Sequence, residues 1–143
     1  DKEDVKVVQC KAVEELVRNS DIICTTTPST TPVLPDDKEL LRGKCIIAIG
    51  SYMPEMREIP DAVLDLVDNV YIELPYACEE SGDLSQPLAS GKLTKDRIKL
   101  MHEYLVSGEK EIKEGQTTYF KSVGMGLFDV CIAQKLYEVA KEK

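Results

Sequence analysis

Short runs of apolar residues alternate along the chain with stretches in which apolar positions recur every three or four residues. The first pattern marks strands buried in a sheet, and the second marks helices laid against it. Val5-Lys6-Val7-Val8 alternates weakly and predicts a strand, followed by a helix over Ala12-Val13-Glu14-Glu15-Leu16-Val17. Asp21-Ile22-Ile23-Cys24 predicts a short buried strand. The next stretch, Thr25 to Pro35, holds three prolines and many hydroxyls and reads as loop. Cys45-Ile46-Ile47-Ala48-Ile49 is the strongest strand, apolar throughout as a strand covered on both faces should be, and it ends at Gly50-Ser51.

Pro60 predicts the start of a helix through Ala62, Val63, Leu64, Leu66 and Val67. Val70-Tyr71-Ile72 predicts a strand and Tyr76 to Glu80 a helix. Arg97 to Val106 carries Ile98, Met101 and Leu105 at helical spacing and stops at Gly108. Thr117-Thr118-Tyr119-Phe120 predicts the last strand. Met125 to Lys141 predicts the longest helix, with Leu127, Val130, Ala133, Leu136, Tyr137 and Ala140 turned inward. Strands alternating with helices imply a parallel sheet in an α/β layer structure. A chain of 143 residues suits one domain. Gly108 to Gln116 is the expected exposed connection.

Charge narrows the partners. The 18 basic and 26 acidic side chains leave a net charge of −8, interleaved along the chain. Such a surface argues against nucleic acid and against anionic membranes. No apolar run is long enough to span a bilayer, and no signal-peptide pattern opens the chain. The first residue is Asp1 rather than Met, which suggests that something upstream is absent. The five cysteines, Cys10, Cys24, Cys45, Cys78 and Cys131, form no CxxC pair and read as reduced thiols of a cytoplasmic protein. His102 is the single histidine, so neither a Cys–His dyad nor a zinc site has much to draw on.

In an open parallel sheet the ligand crevice lies outside the carboxyl ends of the strands. Two such ends are marked here. Thr25-Thr26-Thr27-Pro28-Ser29 offers four hydroxyls in five residues, suited to ribose or phosphate oxygens or to an ordinary Thr/Pro turn. Ile49-Gly50-Ser51 places a Gly where a flat ring or a backbone can come close, or where a strand merely ends. Glu80-Ser81-Gly82-Asp83 reads as a helix C-terminus with Gly in the left-handed conformation. Lys121-Ser122-Val123-Gly124-Met125-Gly126 reads as a hydroxyl cap leading into the last helix, with glycines that let backbone amides face a ligand. The phosphate-cradling GxGxxG pattern is absent, because Gly124-Met125-Gly126 is followed by Leu127-Phe128-Asp129.

Taken in order, Asp21 to Ser29, Ala48-Ile49-Gly50-Ser51, Met56-Arg57-Glu58-Ile59, Glu80-Ser81-Gly82-Asp83 and Phe120-Lys121-Ser122-Val123-Gly124-Met125 resemble the ornithine cyclodeaminase/mu-crystallin family. The resemblance runs from about Val5 to the end of the chain and matches the later part of the family's sequence. It implies a partial Rossmann-type parallel sheet flanked by helices, lacking the first βαβ unit with its glycine loop. Residues 1–143 would be the C-terminal part of an NAD(P)-binding domain, with the final helix returning toward a substrate and dimerisation domain. The chain would then be a fragment of a longer polypeptide, and its sheet would expose an edge where the first strands belong.

The resemblance also implies NAD or NADP as cofactor, a small amino or imino acid as substrate, and a homodimer in the full-length protein. Thr27 and Ser29 would lie along the dinucleotide, Ile49, Gly50 and Ser51 would back the nicotinamide, and Ser122 would hydrogen-bond it. Glu80, Val123 and Gly124 would face the substrate. Where cyclodeaminases carry the Asp that moves the proton, this chain has Tyr52. A phenol holds its proton at neutral pH and cannot act as that base. The resemblance implies an ornithine cyclodeaminase, alanine dehydrogenase or ketimine reductase type of activity, with hydride transfer at a carbon–nitrogen bond; Tyr52 disfavours the first, and the fragment alone is expected to be inactive. A crystallin-like protein that binds a dinucleotide without turnover, or a truncated structural paralogue, are the alternatives.

Overall fold

The computed structural model describes residues 6–108 and 112–141. Its strands are β1 (Ile22–Thr25), β2 (Cys45–Ala48), β3 (Val70–Ile72), β4 (Ile98–Leu100) and β5 (Thr118–Lys121). They form one parallel sheet in the order β1-β2-β5-β3-β4. The last strand is therefore inserted near the middle, with Lys121 in register between Ala48 and Ile72. Because every pairing is parallel, all five carboxyl ends lie along one edge of the sheet. At its far side β1 is an edge strand, paired with β2 alone among the described residues.

The helices are α1 (Val13–Arg18), α2 (Lys38–Leu41), α3 (Asp61–Leu66), α4 (Ala77–Glu80), α5 (Gly82–Ser90), α6 (Met101–Ser107) and α7 (Gly126–Lys141). The register aligns Ile23, Ile46, Tyr119 and Val70 across one face of the sheet. That face is buried in a single apolar cluster with Val17 of α1, Leu41 of α2, Val63 and Leu64 of α3 and Leu84 of α5. Each such side chain contributes roughly 1.5–3 kcal/mol on leaving water. The Arg97 guanidinium closes the C-terminus of α3, donating to the carbonyls of Leu64 and Val67 at 2.6 Å each and of Asp68 at 3.1 Å.

The opposite face is covered only in part. Tyr71 is buried with its ring edge-on to Tyr104 of α6, the centroids 5.2 Å apart. Cys45, Ile47 and Phe120 are half-buried, and Cys24 and Ile22 are exposed. The expectation that the strand at 45–49 is covered on both faces is thus corrected: the described residues cover one face. The inward stripe expected of α7 is corrected for the same reason. None of its residues is buried, and Leu127, Val130, Leu136 and Tyr137 are each about three-fifths exposed. An apolar stripe shows that a helix is built to be covered, but not by what.

Three local expectations also change. Val7 and Val8 are exposed and outside any strand, while Val5 lies outside the described residues. Residues 98–100, read as helix, pair with β3 before α6 begins, so sheet contact overrides a helical pattern. Glu80-Ser81-Gly82-Asp83 starts a helix as well as ending one. Ser81 Oγ accepts from Asp83 N at 3.2 Å as the N-cap of α5, and Gly82 is not in the left-handed region. Gly is needed there because a Cβ would stand 2.1 Å from the Met56 carbonyl oxygen. The four-residue α2, too short to show a period, is set by the Asp37 carboxylate accepting from Glu39 N and Leu40 N. Gly108 ends α6 in the left-handed conformation, and residues 112–115 beyond it are exposed.

Candidate functional site

The loops that leave β1 and β2 are tied together by one buried carboxylate. Glu58 Oε1 accepts from Thr27 N at 2.5 Å and from Thr27 Oγ1 at 2.9 Å. Its Oε2 accepts from Thr25 Oγ1 and from Gly50 N, both at 2.8 Å. Four donors replace the water this fully buried charge gives up. The approach is close enough to exclude a side chain at Gly50, where a Cβ would lie 2.2 Å from Thr27 O and 2.3 Å from Thr27 N. Gly50 therefore admits a neighbouring backbone, one of the two readings its position allowed.

A second carboxylate organises the loop after β5. Glu73, the residue following β3, accepts at Oε1 from Ser122 Oγ at 2.9 Å, Val123 N at 2.6 Å and Gly124 N at 3.0 Å. Its Oε2 is buried and has no hydrogen-bond partner. Gly124 takes a φ of 89°, which allows successive amides to converge on one oxygen. Beside Glu73 lies a cavity of about 370 Å³ whose walls include Met101, His102, Phe120 and Phe128.

Ser51 links these loops to the helices beyond β3. Its hydroxyl is 2.8 Å from both the Met56 carbonyl oxygen and the Ser81 hydroxyl. Glu80, half-buried, sits beside Ser81 on α4. Asp83, two residues further on, receives Glu58 N at 2.7 Å and Ile59 N at 2.9 Å on Oδ1. Burial pushes the Asp83 carboxyl above the usual carboxylate range, against the Ile59 amide and the nearby Lys121, which favour its charged form.

The parallel sheet thus brings Thr27, Ser29, Ile49, Gly50 and Ser51 to the same edge as Ser122, Val123 and Gly124, and the Ser51–Ser81 contact attaches the Glu80 segment. Two residues expected nearby face outward, Ile49 at 38% and Tyr52 at 47% exposure. Hydroxyls of the 25–29 segment are largely committed inside the protein. Thr25 and Thr27 donate to Glu58, and Ser29 Oγ donates to the Thr31 carbonyl at 2.7 Å. Sequence reasoning missed the organising roles of Glu58 and Glu73. The available signal was a carboxylate directly flanking apolar residues, Glu58-Ile59-Pro60 and Val70-Tyr71-Ile72-Glu73, a context in which a charge must be paired.

These features discriminate among ligands. A phosphate would meet the Glu58 carboxylate and amides already in use. What this edge leaves exposed or half-buried is the side chain of Ile49 and the Val123-Gly124 turn. Among the described residues no group of three or more His, Cys, Asp or Glu could hold a metal ion, and no helix is long and apolar enough to cross a membrane.

Comparison with known proteins identifies the family. The Delta(1)-pyrroline-2-carboxylate reductase of Bacillus cereus is 38% identical over 136 residues, which are 93% of this chain and 41% of that protein. The ketimine reductase mu-crystallin of Rattus norvegicus is 34% identical over 135 residues, 94% of this chain and 40% of its own length. The chain thus spans about two fifths of the length of these relatives. Its fold matches that of Thermococcus litoralis Delta(1)-pyrroline-2-carboxylate reductase, solved with NADH and L-proline, with a TM-score of 0.77 at 24% identity, over 93% of this chain and 42% of that one. A sequence profile of the ornithine cyclodeaminase/mu-crystallin family matches residues 1–143. The chain belongs to the ornithine cyclodeaminase/mu-crystallin family.

Proposed function

We propose that this chain is the C-terminal part of the NAD(P)-binding domain of a reductase acting on a small cyclic imino acid or the related amino acid. The observation that carries the reading is the convergence of Ile49-Gly50-Ser51 and Ser122-Val123-Gly124 on one sheet edge, with an exposed apolar side chain between committed polar groups. When bound, NAD(P)H supplies a hydride for the carbon–nitrogen double bond. Ile49, Gly50 and Ser51 would back the nicotinamide ring, with Thr27 and Ser29 along the dinucleotide. Ser122 donates its proton to Glu73 and accepts from Gly124 N at 3.2 Å, which leaves one hydroxyl lone pair for the N–H of a carboxamide. Val123, Gly124 and Glu80 would bound the substrate, and Glu73 keeps the Val123-Gly124 turn in place.

The uncovered stripe of α7 and the open sheet face suit a helix that returns to a substrate and dimerisation domain, consistent with relatives more than twice as long. A cytoplasmic homodimer with its cysteines as thiols completes the reading. Tyr52, where cyclodeaminases carry an Asp, favours reduction over cyclodeamination. It also supports a second reading, a mu-crystallin-like protein that binds a dinucleotide without turnover.

Fluorescence titration with NADH and NADPH, run beside an assay of Δ1-pyrroline-2-carboxylate reduction by the full-length protein, tests both. Binding with turnover supports the reductase, and binding alone supports the crystallin-like reading. No binding by the full-length protein would overturn both.

A further inference from the structure

Among the described residues one basic side chain is buried, Lys121, and it shares the interior with three acids, Glu58, Glu73 and Asp83. Lys121 ends β5 on the covered face, between Ala48 of β2 and Ile72 of β3. Its Nζ stands 3.6 Å from Asp83 Oδ2, both side chains being 0% exposed. That separation exceeds a hydrogen bond, and neither atom has another hydrogen-bond partner. The pair is therefore held by charge alone, in a medium where charge acts strongly. Asp83 in turn holds the backbone of Glu58, whose carboxylate organises the β1 and β2 side of the crevice.

We propose that Lys121 is the positioning cation of the crevice and that, through Asp83, it sets the loops after β1 and β2 relative to the end of β5. The line runs from Lys121 to Asp83, from Asp83 Oδ1 to the backbone of Glu58, and from the Glu58 carboxylate to Thr27 and Gly50. Without the ammonium, Asp83 would be left as a buried charge with no counter-charge, and the backbone it holds would shift. The proposal rests on the dinucleotide reading only for its functional consequence, since the contacts lie within this chain.

The test is Lys121→Met, alone and combined with Asp83→Asn, read by amide hydrogen exchange. In the single variant the amides of Thr27 and Gly50 should exchange faster by on the order of tenfold, with a smaller change at Val123, Gly124 and β4. The double variant removes one charge of each sign and keeps an acceptor for the Glu58 and Ile59 amides, so protection should return toward the original at both. Uniform acceleration across the sheet, or acceleration at Val123 and Gly124 as large as at Thr27 and Gly50, would overturn the proposal. So would a double variant no better folded than a single variant that fails to fold. Nicotinamide binding is measured separately on the full-length protein, so failure of the cofactor reading leaves the exchange result standing.

Discussion

Glu58 Oε2 lies 2.8 Å from the amide nitrogen of Gly50, eight residues earlier in the chain, and that bond decides what the end of β2 can hold. The carboxylate occupies the inner side of the crevice and takes the amides and hydroxyls that a phosphate would otherwise use. What remains open toward solvent is the side chain of Ile49 and the turn at Val123-Gly124.

Glu58 and Glu73 should respond differently to the same substitution. Each Glu58 oxygen accepts one hydroxyl and one backbone N–H, so in Glu58→Gln the new NH₂ must face a backbone N–H whichever way it turns, at a cost of about 1–3 kcal/mol. Glu73 receives all its donors on Oε1, so Glu73→Gln can keep its carbonyl there and place the NH₂ where Oε2 has no partner. That variant is expected within about 1 kcal/mol of the parent. Urea midpoints of the two variants check the contrast.

Gly50→Ala and Gly82→Ala are both expected to destabilise, by roughly 1–3 kcal/mol or more, because each new methyl meets fixed backbone. At Gly50 the Cβ would lie 2.2 Å from Thr27 O, and at Gly82 2.1 Å from Met56 O. Gly91→Ala, where nothing stands within 4 Å, separates crowding from conformation, since its φ of 76° alone carries the penalty. Thermal unfolding of the three variants should rank Gly91→Ala mildest.

Asp65 gives acid sensitivity. Lys38 and Lys92 each approach its carboxylate to 2.6 Å, and their hydrogen bonds, Lys38 first, hold its pKa below the ordinary 3.8. A folded-state value below the unfolded one stabilises above the unfolded value and is lost as pH falls through the folded one. Asp65→Asn should therefore narrow the stability difference between pH 6 and pH 2, and salt should shrink the effect because the groups are partly exposed. Denaturant unfolding across that range is the measurement.

Tyr119 is fully buried, yet its hydroxyl has no hydrogen-bond partner. Burial, with Asp83 and Glu58 nearby, pushes its phenol well above 10, so the ring stays neutral until the fold opens. Tyr119→Phe keeps the packing and removes a desolvated group, and is expected to be neutral or stabilising by up to about 1 kcal/mol. A lower melting temperature in the variant would show that the hydroxyl is satisfied after all.

The folded-state value of Lys121 is lowered, chiefly by burial, against the pull of Asp83. Between that value and 10.5 the unfolded chain binds more protons, so this group makes stability rise with pH there. Tyr119, raised above 10, acts in the opposite sense at higher pH. Comparing the alkaline limb of Lys121→Met with that of Tyr119→Phe by denaturant unfolding separates the two contributions.

The chain's own pattern determined the elements whose signals are short-range. The apolar runs at 22–24, 45–48 and 70–72 became strands, and Pro60 and Gly108 stand where a helix starts and ends. The ordered motifs from Asp21 to Met125 carried the family. Tertiary structure alone decided that β5 inserts between β2 and β3, that residues 98–100 pair as a strand, and that one sheet face and the stripe of α7 remain open. It also decided the partners of the buried charges. Glu58 meets Thr27 from 31 residues away and Glu73 meets Ser122 from 49, distances over which local periodicity carries no information. Backbone preference acts over a few neighbours, whereas the company a buried carboxylate keeps is set by strand order and register.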